Sequence, residues 1–260
     1  MLIDRQLPLS LLSLVEDAGL NASAPPQQRW LDGWMLRVSP GKAKRARCVN
    51  ALAEGCLPLQ ERLELTRQVY RDAGLPLLIR ITPFTRPQTL GAELAGRGFR
   101  TLDDTRVMIC PALPASAAPA LPRGCRVEAV GHGAFAQAVG ELRGSPLAQR
   151  TAQAERLANA PVPFHGFVLR GEDGVLGCGQ YAVEGDRVGL YDVYTAPAAR
   201  GRGFASALCA WILAQAREAG ARTGYLQVEA DNAPARAIYH RLGFADAYGY
   251  HYRTDDPSAH

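Results

Sequence analysis

The stretch Asp192-Val-Tyr-Thr-Ala-Pro-Ala-Ala-Arg-Gly-Arg-Gly-Phe-Ala-Ser-Ala-Leu208 concentrates the residues with the clearest chemistry in this chain. Strand-forming residues lead into a short loop, and the loop leads into an amphipathic helix. Gly201 and Gly203 let the backbone approach a ligand closely, because neither has a Cβ in the way. The free N–H groups of the first helical turn then point outward with the positive end of the helix dipole. Together they make a cradle for a phosphate or pyrophosphate, with Arg200 and Arg202 adding charge at its rim. The spacing is neither that of a P-loop, since no Gly-Lys-Ser/Thr follows, nor that of a dinucleotide-binding turn, which needs a third glycine.

The elements that must hold this cradle are legible on either side. Cys125–Val130 alternates like a strand, and residues 133–160 read as helical and irregular. Gly166–Arg170, Val175–Val183 and Arg187–Thr195 read as strands joined by the tight turns Glu172-Asp173-Gly174 and Glu184-Gly185-Asp186. A helix is predicted from about Gly203 to Glu218. Its apolar residues Phe204, Leu208, Ile212 and Ala216 form one stripe, and Gly220 ends it. Tyr225–Glu229 is a further strand, Ala233–Arg241 a second helix stopped by Gly243, and Phe244–Arg253 a last strand or hairpin.

Two segments of this half carry a family resemblance. Arg200-Gly-Arg-Gly-Phe-Ala205 resembles the R/Q-x-x-G-x-G/A pyrophosphate loop of the GCN5-related N-acetyltransferase (GNAT) superfamily. Asn232-Ala-Pro-Ala-Arg-Ala-Ile-Tyr-His-Arg-Leu-Gly-Phe244 resembles that family's N-x-x-A-x-x-x-Y-x-x-x-G-F segment after the fifth strand. The resemblance covers about residues 124–253. It implies a mixed-sheet α/β fold and an N-acetyltransferase that moves the acetyl group of acetyl-CoA to a primary amine by direct attack. In the family the fourth and fifth strands splay apart, and fourth-strand backbone binds the pantetheine arm. Here that backbone is Val193, Tyr194 and Thr195. The pyrophosphate falls to Arg200, Gly201, Arg202, Gly203, Phe204, Ala205 and Ser206, and Asn232 reaches the cofactor arm while also capping its helix. Tyr239 matches the family tyrosine that contacts the cofactor and, as general acid, protonates the departing coenzyme A thiolate. For the base that takes the amine proton, Asp192 and Glu229 are the candidates. Histone-type members carry a glutamate early in the fourth strand, and the nearest match here is Gly189, so the histone mechanism does not transfer simply. A rival reading keeps the cradle without turnover, as a non-catalytic acyl-CoA sensor or pseudoenzyme.

The first half repeats part of this order. Trp34–Val38 and Arg45–Leu52 read as strands, Leu57–Ala73 as a helix, Leu77–Thr82 as a strand and Pro87–Gly96 as a short helix followed by Gly98-Phe99. The matching Gly-Phe after a helix points to a distant, degenerate second copy of the same fold, a pseudo-duplicated tandem. Its strand-to-helix turn, Ala53-Glu-Gly-Cys56, has no phosphate loop. The expected roles of this half are packing against the catalytic half, the simpler reading, or closing one side of the acceptor pocket. Trp30–Arg37 reads as a turn into a strand, since Asp32-Gly33 disfavours a helix. The proline-rich stretch 113–123 reads as a linker between residues 1–112 and 124–260.

Bulk composition excludes several classes. The 260 residues are 47% hydrophobic and 21% charged, enough for a real core. A net charge of +4 suits an anionic ligand but is too weak to argue for nucleic acid, for which no basic patch with interleaved aromatics is visible, and the basic run Lys42–Arg47 reads as a solvated strand or turn. No apolar run approaches the roughly 20 residues of a membrane span. The six cysteines form no Cys-x-x-Cys pair, so no metal is expected, and His165 and His240 are lone surface histidines. The opening Met-Leu-Ile-Asp-Arg-Gln lacks signal-peptide order, which with reduced cysteines predicts a cytoplasmic protein. A small-molecule or peptide amine is the expected partner, and the chain is expected to act as a monomer or homodimer. Residues 131–165 and parts of the first half are expected to select the acceptor.

Overall fold

The structure is a computed structural model that describes residues 6–41, 43–115, 120–172 and 174–259. Lys42 of the basic run, residues 116–119 of the linker and Asp173 of a tight turn lie outside them. In chain order the elements of the first half are α1 (Leu9–Ala22), β1 (Gln27–Leu31), β2 (Trp34–Val38), β3 (Val49–Ala51), α2 (Leu59–Asp72), β4 (Ile79–Ile81), α3 (Leu90–Gly96) and β5 (Arg100–Cys110). The second half adds β6 (Arg126–Val130), α4 (His132–Arg143), α5 (Leu147–Ala158), β7 (Phe164–Gly171), β8 (Gly174–Glu184), β9 (Arg187–Thr195), α6 (Phe204–Glu218), β10 (Thr223–Glu229), α7 (Ala233–Arg241) and β11 (Ala245–Thr254). Among the described residues these strands form one mixed sheet in the order β1-β2-β3-β4-β11-β5-β10-β9-β8-β7-β6.

That order has an internal symmetry. β3 and β4 are parallel and joined through α2, as β9 and β10 are parallel and joined through α6. The last strand of each half crosses to the other: β5 pairs antiparallel with β10, and β11 pairs antiparallel with β4. β5 and β11 then pair with each other at the centre. So β5 belongs to the first half by chain position and to the second by pairing. The helix stops match as well. Phe99 N–H donates to the Leu94 carbonyl and Phe244 N–H to the Tyr239 carbonyl, both at 3.0 Å. Gly98 and Gly243 take φ of 84° and 87°, the left-handed conformation that this kind of helix end requires.

The sequence reading passed over α1, β1 and β5. α1 packs Leu12, Val15 and Ala18 onto the central strands beside Val107, Ile109, Tyr225 and Tyr248. This i, i+3, i+6 spacing is helical, but Leu11, Leu14 and Leu20 blur the stripe. β1 and β2 form a hairpin over Asp32-Gly33, so Trp30 lies on a strand before the turn.

α1 also carries a buried charge. Glu16 is an ion-pair partner of Arg80 on β4 and accepts from the Tyr248 hydroxyl at 2.7 Å on β11. Burial pushes the Glu16 carboxyl up, but Arg80, Tyr248 and Arg37 together hold it below its ordinary value. A depressed carboxylate contributes stability above its unfolded pKa, and that contribution is lost as pH falls through the folded one. Glu16→Gln leaves Arg80 buried without a counter-charge and is expected to lose about 3 kcal/mol at neutral pH. The loss narrows in acid, where the wild type also protonates. Urea denaturation of both proteins at pH 7 and pH 4 checks this.

Candidate active site

Parallel pairing between β9 and β10 runs from Arg187↔Thr223 to Leu190↔Leu226 and stops there. β10 continues along β5 as far as Glu229↔Thr105, while β9 follows β8. The cause of the divergence is a bulge. Between the pairs Cys178↔Tyr194 and Gln180↔Tyr191, β9 has one residue more than β8. Asp192 sits in the bulge with φ of 49°, unusual for a residue with a Cβ. Its carboxylate is held by Arg143 of α4 at 3.1 Å, Gln153 of α5 at 3.1 Å and Gln180 of β8 at 2.8 Å. Three elements thus lock the kink that opens the sheet.

Two cavities meet in the opening, of about 750 and 610 Å³, both within the usual range of roughly 300–1,000 Å³ for ligand sites. The first lies over the start of α6. Of the residues expected to hold the cofactor, Val193, Tyr194, Thr195, Arg200, Gly201, Gly203, Phe204, Ala205, Ser206, Asn232 and Tyr239 line it. Arg202 does not, because its guanidinium folds over the Phe204 ring at 4.8 Å. Gly201 and Gly203 take φ of 74° and 79°, and a Cβ on either would meet only open space. Arg200 is drawn back onto the Tyr194 hydroxyl at 3.1 Å. Asn232 caps α7 by accepting from Ala235 N–H at 3.2 Å, which leaves its amide N–H₂ for a ligand. The sequence reading missed Cys209 and Arg241 on this wall. Their signal was helical phase: Cys209 is one turn beyond Ala205, and Arg241 is one turn beyond Ala237 on the same wall.

The second cavity contains Asp192, Glu229 and Tyr239, so the three proposed catalytic side chains share one cleft. Tyr239 lies on the wall of both cavities. Its ring packs edge-on to Phe244, and its hydroxyl has no hydrogen-bond partner among the described residues. Burial pushes its pKa well above the ordinary value, with the Cys209 thiol adding to the shift, so the phenol keeps its proton at neutral pH. Glu229 is exposed, and among the described residues its carboxylate has no hydrogen-bond or ion-pair partner, unlike that of Asp192. At Gly189 a side chain would lie 2.5 Å from both Tyr191 and Tyr225, so the glutamate of histone-type members has no room there. His165 stacks on Tyr181, and His240 bonds the Phe244 carbonyl at 3.0 Å.

The first half closes one side of this cleft through Ser23, Lys44, Arg45, Asp103 and Thr105. The basic run is therefore not simply solvated: Lys44 pairs with Asp103 at 2.7 Å, and Arg45 faces the cleft. The first half's own strand-to-helix turn is plugged. Cys56 and Leu57 N–H groups, which would face an anion, donate to Asp32 at 2.8 and 2.9 Å. A Cβ at Gly55 would lie 2.1 Å from the same carboxylate. The protein's own anion occupies the turn.

A glycine turn at a helix start opens beside a splayed parallel strand pair, and the family domain that contains both marks the protein as an acyl-CoA-dependent N-acyltransferase. Residues 137–244 match the model of the Acetyltransferase (GNAT) family, and the C-terminal half of this chain is a GNAT domain. The fold is shared with a GCN5-related N-acetyltransferase from Kribbella flavida, at 17% identity, TM-score 0.69 and 96% coverage of each chain. It is shared too with a tandem GNAT protein from the clavulanic acid biosynthesis pathway, at 16% identity and TM-score 0.61, over 77% of this chain and 70% of that one. A GCN5-related N-acetyltransferase from Sphaerobacter thermophilus gives 18% identity and TM-score 0.59, over 77% and 69%. At these identities the likeness is one of fold. No curated protein matches the sequence. No helix among the described residues is long and apolar enough to cross a membrane.

Proposed function

We propose that the protein transfers the acetyl group of acetyl-CoA to a primary amine of a small molecule or peptide by direct attack, with Tyr239 as general acid. The observation that carries this is Tyr239, which lines both cavities and whose hydroxyl has no hydrogen-bond partner among the described residues; burial, with the Cys209 thiol, raises its pKa and favours the protonated phenol. Bound acetyl-CoA would supply a thioester whose carbonyl the amine attacks, with the C–S bond breaking. Tyr239 gives its proton to the sulfur as that bond breaks. Glu229 takes the proton that the amine loses, directly or through water. Asp192, engaged on both oxygens, positions the bulge and with it the backbone of Val193–Thr195 along the acyl arm. Gly201, Gly203 and the first turn of α6 hold the pyrophosphate. Residues 1–112 and 124–260 are two copies of one ancestral unit, and exchange of β5 and β11 makes one chain resemble a dimer. Six free cysteines suit work in the reducing cytoplasm.

The test is calorimetric titration of acetyl-CoA into the protein, followed by thiol release from acetyl-CoA with a panel of amines. Saturable binding and amine-dependent release are expected. Binding without release from any amine would favour the sensor, and absence of binding would sink both readings.

A further inference from the structure

The acceptor cleft contains more positive charge than its own acids neutralise. Lys44 is matched by Asp103, and Arg143 by Asp192 at 3.1 Å. Two further arginines line the same cleft, Arg45 from the turn before β3 and Arg156 from α5. Neither has an ion-pair partner among the described residues. Arg45 has one neutral contact, to the Tyr250 hydroxyl at 3.3 Å, and its Nε is buried with no acceptor. The Arg156 guanidinium has no hydrogen-bond partner among the described residues and rests over the Phe164 ring at 5.8 Å. Burial lowers the pKa of Arg156 and the Arg45 charge adds to this, against the pull of Asp192, whereas the tyrosines around Arg45 raise its own. With Lys44 and Arg143 matched, Arg45 and Arg156 face one remaining carboxylate in the cleft, the exposed Glu229, so one positive charge is left over. A guanidinium held in a cleft without a counter-charge is costly unless a ligand supplies it. Planar guanidinium forks also match a carboxylate or phosphate better than any neutral group.

We infer that the acceptor is an amine that carries its own anionic group, a carboxylate or phosphate held between Arg45 and Arg156 while its amine faces Tyr239 and Glu229. This rests on the acetyl-transfer reading and names its substrate class. It also gives the first half a role after its own cradle was plugged. Arg45 comes from that half and Arg156 from the other, so the anion end of the cleft exists only when both are present.

The experiment measures kcat/KM by thiol release from acetyl-CoA for straight-chain amino acids of increasing length. Each is run beside its neutral amide and beside the aminoalkyl phosphate of equal length. At least one anionic series is expected to exceed its neutral partner by about tenfold or more, the size of one charge-assisted hydrogen bond. The phosphate arm tells which anion is preferred. That ratio is expected to fall towards one in Arg156→Gln and, separately, in Arg45→Gln, so a folding defect in either variant leaves the other to decide. Equal rates for anionic and neutral partners, turnover of neither, or a ratio that survives in both variants would overturn the inference. Calorimetric binding of acetyl-CoA to the wild type separates this failure from that of the acetyl-transfer reading, which alone requires such binding.

Discussion

Gly203→Glu is expected to weaken acetyl-CoA binding by at least about a hundredfold, since a like charge set against a bound anion costs several kcal/mol. Gly203 is the residue from which α6 starts, and a Cβ there would point into open space within the cofactor cavity. A glutamate side chain would put its carboxylate where the pyrophosphate is proposed to lie. Its φ of 79° adds a second penalty, because a residue with a Cβ pays about 1–2 kcal/mol in that region. Gly203→Ala separates the two effects. It carries the backbone penalty alone and is expected to lose a little stability and only a few-fold in affinity. Calorimetry on the three proteins reads both effects. Near wild-type affinity in the glutamate variant would remove this turn from the cofactor site.

Tyr239→Phe is expected to lower kcat by roughly 10²–10⁴, the usual range for a general acid, with acetyl-CoA affinity nearly unchanged. The substitution is clean for a structural reason. Phenylalanine keeps the edge-on packing with Phe244, and the hydroxyl removed has no partner among the described residues to leave unsatisfied. Fold and cavity walls should therefore survive, and the whole effect should fall on proton delivery to sulfur. Single-turnover thiol release beside calorimetry gives the two quantities. A wild-type kcat would mean that the thiolate leaves unassisted or takes its proton from water.

These two expectations contrast with the acceptor end, where no variant could have been chosen from the sequence. The proposed cradle is one contiguous segment whose glycines would act through backbone, and Asn232 caps the short helix that carries Tyr239, at fixed spacing. Local order of this kind survives in a single chain. Arg45 and Arg156 are 111 positions apart, on a turn and a helix with no shared pattern. The run around Arg45 read as solvated because its neighbours are polar, and only the sheet brings it to the cleft.

The same division holds for the fold. Period and turn chemistry by themselves determined the strands from Gly166 to Thr195, the helix that follows, and the pair of Gly-Phe helix stops, because each depends on residues within a few positions of one another. β5 escaped notice because Arg100–Thr105 is polar and mostly exposed, and its place in the sheet comes from pairing with β10 and β11 on either side. α1 escaped because Glu16, a charge on its buried face, is tolerable only beside Arg80 and Tyr248. The exchange of last strands, the plug at Asp32 and the bulge held at Asp192 are likewise tertiary decisions. Each pairs groups remote in the chain, and local sequence carries no term for a partner that folding alone supplies.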